Sequence, residues 1–178
     1  MSDTRGDILR EVFIAAAPAT VFEYLVAPAA MARWIGLAHR IEPRPGGEFR
    51  VEISRGNIAR GIYTRVQPPH SVAFTFGWET HEADLGELAG LPPGSSLVEF
   101  ELEAKDGGTL VRLRHSRLPD STIEMHGERW SHHLGLLAAP WRARQGCELR
   151  KKRAREKLRE DQDARADGHF QGPPFGGL

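Results

Sequence analysis

The chain has 178 residues, 40% of them hydrophobic, and a formal net charge of zero. That is the size of one domain plus an appendage, with enough apolar material for a packed core. No apolar run approaches the ~18 residues of a membrane-spanning helix, and a lone Cys147 excludes an internal disulfide or a cysteine-based zinc site. Residues 1–140 carry 14 basic and 18 acidic side chains, whereas residues 141–178 carry 10 and 6. The shift places a boundary near Pro140, and the mildly acidic body argues against a nucleic-acid-binding domain. The opening stretch, MSDTRGDILREV, is charged and has no apolar signal region, so a cytoplasmic location is expected.

The first element is a strand over Ile8–Ile14. A helix follows from Ala17-Pro18, with Pro18 at its first position and Val21, Phe22, Leu25 and Val26 as its apolar face. Pro28 ends it, and a second short helix runs through Met31 to Trp34-Ile35. Strands are expected at 38–43, 47–54, 58–67, 71–78, 97–104 and 109–115. Phe49, Val51 and Ile53 alternate with Arg50, Glu52 and Ser54. Ile58, Ile62 and Val66 share one side of the next strand, and Val72, Phe74, Phe76 and Trp78 share one side of the third. Such alternation predicts an antiparallel sheet with one face in water and one buried. Gly46-Gly47, Gly56-Asn57 and Gly107-Gly108 supply the turns, and Pro68-Pro69 ends a strand. Glu79–Ser96 reads as a long polar loop.

A long helix is expected from about Ser121 to Ala139, capped by Asp120 or Ser121. At 100° per residue, Ile123, His126, Gly127, Trp130, His133, Leu134 and Leu137 share one face, while Glu128 and His132 lie opposite. After Pro140 the composition turns polar and basic. The stretch ELRKKRAREKLREDQDAR suits either a solvated helix, with pairs such as Lys152–Glu156, or an unstructured extension. The predicted order is strand, two short helices, six strands and a long helix. It describes an α+β helix-grip fold over residues 6–140, followed by a tail over 141–178.

Within that frame the chain resembles the START-like superfamily, in the group of activator of 90-kDa heat-shock-protein ATPase homologues. The matching residues are Ala17-Pro18 with Val21-Phe22, Met31-Ala32-Arg33-Trp34, and Arg44-Pro45-Gly46-Gly47-Glu48-Phe49. They continue through Gly61-Ile62-Tyr63, Pro68-Pro69 and Val72–Trp78 to Gly107-Gly108-Thr109, Leu113-Arg114-His115 and Gly127-Glu128-Arg129-Trp130. The resemblance covers about residues 8–140. The family often has Trp-Trp-Gly where this chain has Trp34-Ile35-Gly36. What it implies is a cavity between a curved sheet and the final helix. It implies no single chemistry, since function lives in the site.

The expected cavity walls are Phe74, Phe76, Trp78, Phe100, Leu113 and His115 from the sheet. His126, Trp130, His133 and Leu134 face them from the helix, and Trp34 comes from the second short helix. Three histidines near one cavity suggest acid–base chemistry, set against a simple structural role for each. His126 and His133 stand two turns apart, about 10 Å by helix rise, too far to share an ion, and no HExxH string occurs. No catalytic residue, cofactor or metal is therefore assigned. The leading expectation is non-catalytic binding of a small apolar or amphipathic molecule. The alternatives are a cyclase- or hydrolase-like enzyme using the histidines, or a chaperone-associated, stress-response protein-binding module. A membrane partner is not expected, and nucleic acid only weakly through the basic tail.

Overall fold

The computed structural model describes residues 5–79 and 91–167. Its elements are β1 (Arg5–Ile14), α1 (Pro18–Val26), α2 (Pro28–Met31), β2 (Leu37–Ile41) and β3 (Glu48–Ser54). They continue with β4 (Asn57–Gln67), β5 (Ser71–Phe76), β6 (Ser96–Lys105), β7 (Gly108–Pro119) and α3 (Asp120–Asp167). All pairings are antiparallel, in the order β1-β7-β6-β5-β4-β3-β2. The first strand thus joins the far side of the last, and the two short helices bridge the opposite edges. The curved sheet and its long C-terminal helix form the expected helix-grip α+β fold. Most of the expected loop over 79–96 lies outside the described residues. Among the described residues, no helix is long and apolar enough to cross a membrane.

Local chemistry explains the elements. Pro18 opens α1, whose Val21, Phe22 and Leu25 are buried, and Pro28 opens α2. In the β6–β7 hairpin Lys105 pairs with Gly108, so the turn residues are Asp106 and Gly107, both with positive φ (49° and 76°). This is one residue earlier than the sequence suggests, and it matches the demand of a tight two-residue hairpin. The β3–β4 turn slips in the same way, because Ser54 pairs with Asn57 and leaves Arg55-Gly56 as the loop.

The inner face of β4 also differs from expectation. Ala59, Gly61 and Tyr63 are buried, while Ile62 is 49% exposed and Ile58 and Val66 are half-buried. Gly61 decides this register. A Cβ there would overlap the Thr75 carbonyl oxygen on β5, and the Thr75 hydroxyl accepts the Ile62 N–H at 2.9 Å. Close backbone approach needs glycine on that side, and Tyr63 supplies the core volume that Ile62 does not.

The outer face is a charged lattice. Arg112 meets Glu11 at 2.8 Å and Glu103 at 2.6 Å, and Arg114 meets Asp7 at 2.7 Å and Glu99 at 3.7 Å. Each such exposed pair adds about 0.2–1 kcal/mol at most. Glu128 and His132 on α3 are exposed, as the helical wheel predicts.

The chain divides into two compact units, Met1–Arg142 and Ala143–Leu178. In the first, α3 continues through Pro140, and Trp141 is 8% exposed with its ring 4.8 Å from Tyr24 of α1. In the second, the helix runs on to Asp167, with exposed side chains over residues 147–162 and Lys151–Glu148 (3.0 Å) and Lys152–Glu156 (3.9 Å) pairs. Of the two forms expected for the tail, the described part adopts the helix. Deleting residues 143–178 is expected to leave the melting temperature of the first unit unchanged. Deleting 141–178 also removes the buried Trp141 and should cost about 3 kcal/mol. Thermal unfolding of the two truncated proteins checks the pair of outcomes, and equal stability would show that Trp141 contributes nothing.

Candidate ligand pocket

The strands aim Phe74 and Phe76 of β5, Phe100 of β6, and Leu113 and His115 of β7 at α3, and all five are buried. From the helix, Trp130, Leu134 and Leu137 meet them, buried in turn. Among the described residues, several of these rings lie in contact with one another. The Phe100 and Trp130 rings lie edge to face at 5.9 Å, Phe76 is 6.3 Å from Trp130, and Phe49 stacks on Phe74 at 4.0 Å. These are contact geometries for aromatic pairs. Phe76 and Phe100 thus pack directly against the Trp130 indole.

Two indole–imidazole pairs hold this packing. The Trp130 Nε1–H donates to His115 Nδ1 at 2.9 Å. The His115 proton must then sit on Nε2, which donates to the Ser96 hydroxyl at 2.8 Å, and that hydroxyl donates to the Phe76 carbonyl at 2.8 Å. Similarly, the Trp78 Nε1–H donates to His126 Nε2 at 3.2 Å, and His126 Nδ1–H donates to the Thr122 carbonyl at 2.8 Å. Both rings are neutral and have both nitrogens committed. Burial, helped by nearby His126, lowers His115 to about 3. Burial also lowers His126, and the Arg129 charge adds to the effect.

His133 differs. Its Nδ1–H donates to the Trp34 carbonyl at 2.8 Å, tying α3 to the segment after α2. Its ring is half-buried, and burial is the main cause of its lowered pKa. The three expected histidines therefore do not converge on one point. His115 and His126 are neighbours, with ring centroids 5.7 Å apart, but each is spent on its own indole. Among the described residues no group of three His, Cys, Asp or Glu side chains is placed to hold a metal ion.

Between the sheet and α3 the described residues leave a pocket of about 20 Å³, bordered by Ile35, Ile53, Phe76, Trp78, His126, Arg129, Trp130 and His133. That volume, bordered by described residues, holds roughly one water, less than the ligand-sized cavity expected from sequence. Five of the expected wall residues border the pocket: Phe76, Trp78, His126, Trp130 and His133. Trp34, Phe74, Phe100, Leu113, His115 and Leu134 instead pack in the core. The Trp34 Nε1–H donates to the Tyr24 carbonyl at 2.8 Å, which fixes its indole. Tyr63 is also core, its buried hydroxyl without a partner among the described residues.

Sequence reasoning missed Ile35, Ile53 and Arg129. The last was legible in principle, because Arg129 lies three residues after His126 and four before His133, on the same helix ridge. Its guanidinium lies 5.8 Å from the Trp78 ring centroid, a cation–π contact.

The pattern is shared with known proteins. A family model described as activator of Hsp90 ATPase homolog 1-like protein matches residues 15–140. An AHSA1-like protein of Rhizobium etli is 40% identical, with 76% of this chain and 81% of that one covered and a TM-score of 0.58. CalU16 of Micromonospora echinospora is 20% identical over 86% of this chain and 94% of its own, with a TM-score of 0.58. The Aha1 dimer of Colwellia psychrerythraea is 19% identical over 76% and 96%, with a TM-score of 0.60. The last two likenesses speak for the fold alone. Among curated proteins none matches.

Proposed function

The chain belongs to the activator of Hsp90 ATPase homolog 1-like family, and from that membership and the pocket we propose that it binds a small apolar or amphipathic molecule without catalysis. The observation that carries the proposal is the pocket itself. It lies where the helix-grip arrangement brings sheet and helix together, with two indoles, a phenyl ring and two isoleucines on its walls. Ligand sites are commonly such apolar clefts with few polar groups.

Space for one water means that a ligand must displace rim side chains. The half-buried Ile53 is the wall group that can move with least loss of packing. Closure then lowers the apparent affinity by the fraction of molecules that are open.

The alternative readings draw less support. General acid–base catalysis needs two titratable groups within reach of one point, and His115 and His126 are neutral and fully bonded. A protein-binding module needs a contiguous apolar patch. Among the described residues of the first unit the exposed large apolar side chains are dispersed: Leu9 and Phe13 on one edge strand, Leu37 on the other, Ile62 mid-sheet and Leu136 on α3.

Native mass spectrometry of the protein purified from its own host is expected to show a retained small molecule. A neutral apolar probe such as phenylnaphthylamine, at about 100 times its Kd, should stabilise the fold by about 2.7 kcal/mol. Absence of both the adduct and the thermal shift would sink the proposal.

A further inference from the structure

We propose that the pocket's ligand carries one anionic group, a carboxylate, sulfonate or phosphate, seated on the Arg129 guanidinium, with its apolar body against Ile35, Ile53, Trp78 and Trp130. This inference rests on the small-ligand reading and sharpens it.

The charge pattern at the rim supports it. Of the three carboxylates adjoining pocket-bordering residues in sequence, two are engaged elsewhere and the third faces away. Glu52, beside Ile53, meets His39 at 3.0 Å. Glu79, beside Trp78, meets Arg50 at 2.8 Å and Arg60 at 3.9 Å. Glu128, beside Arg129, is exposed on the opposite face of α3. Among the described residues no carboxylate lies within 4.0 Å of Arg129, whereas most arginines of the sheet have such a partner. The other polar groups of the pocket, His126 and His133, are neutral once burial has lowered them, and the Arg129 charge depresses both further. The field of this cation therefore reaches into the pocket without a counter-charge among the described residues.

The geometry suits an anion. The guanidinium lies 5.8 Å from the Trp78 ring centroid, and its planar N–H fork matches two oxygens of a carboxylate or sulfonate side by side. Low polarity around the pocket strengthens that contact. A neutral molecule of the same shape would gain only the apolar walls.

The test uses two fluorescent probes of like shape, the anion anilinonaphthalene sulfonate and the neutral phenylnaphthylamine, on the full chain and on Arg129→Gln and Arg129→Lys. The anion is expected to bind the full chain more tightly than the neutral probe. Arg129→Gln should weaken the anion about tenfold, the loss of one charged hydrogen-bonding partner, while the neutral probe changes by less than about twofold. Arg129→Lys should recover part of the loss, which also shows that the site remains folded. If Arg129→Gln weakens both probes equally, or neither, the anion assignment is overturned and the small-ligand reading stands. If neither probe binds the full chain, both fall.

Discussion

Trp130→Ala should lower the stability of the first unit by about 3–5 kcal/mol, the range for truncating a buried tryptophan. The side chain is 4% exposed and touches Phe76, Phe100 and His115. Its loss removes more than volume, because His115 Nδ1 has no other donor among the described residues. Trp130→Phe isolates that part. The ring is largely retained, but a buried acceptor is left unpaired, at a cost of about 1–3 kcal/mol. Urea unfolding followed by circular dichroism measures both. If Trp130→Ala kept full stability and only lost probe binding, Trp130 would serve the pocket alone and its packing against Phe76, Phe100 and His115 would carry no stability.

Most of the frame is legible in the sequence, and the reasons are physical. Seven strands and the start of α3 follow from alternation and from Pro and Gly punctuation, which report backbone preference directly. β4 shows where that logic fails. Alternation correctly separates two faces, but the greasier face, with Ile58 and Ile62, is not the buried one. The inner position at Gly61 is set by contact with Thr75 of another strand, a distance that periodicity along one strand does not contain. The hairpin turns slipped by one residue because Gly107 and Gly108 look alike in sequence. Only the pairing of Lys105 with Gly108 separates the turn glycine from the strand glycine.

The site was less legible for a related reason. The sequence identifies which rings face inward, but not whether they meet. Closure depends on the sum of ring volumes across β5, β6, β7 and α3, and on hydrogen bonds joining residues far apart in the chain. Ser96, His115 and Trp130 form one relay, and Trp78, His126 and Thr122 another. Each histidine viewed singly resembles an acid–base candidate. Only the paired indole shows that the imidazole is an acceptor locked neutral. Arg129 was overlooked because a charge beside an apolar stripe ordinarily reads as a solvated flank, and its place over Trp78 is a tertiary fact.

Acid should destabilise the protein well above the carboxylate range, because His115 is held neutral by burial. Its folded pKa of about 3 lies below the ordinary 6.5. Between those values the unfolded chain binds the proton and the folded chain does not. Stability therefore rises with pH across the window and is lost as pH falls from about 6.5 towards 3. Each pH unit inside it is worth about 1.4 kcal/mol for one such histidine. His126 and His133 are lowered as well, also chiefly by burial, and act with the same sign. From pH 7.5 to 5, His115 alone should remove about 2 kcal/mol. Carboxylates lowered by their partners, such as Glu79 through Arg50, lose their contribution only at lower pH, so the histidine effect can be read separately above pH 5. Urea midpoints at half-unit steps from pH 7.5 to 5 give the slope. His115→Gln is expected to be less stable at pH 7.5 yet to show a shallower slope, by about one proton. A slope that is flat in the full chain, or unchanged by His115→Gln, would mean that the imidazole is open to solvent protons and that the Trp130–His115–Ser96 relay does not hold in solution.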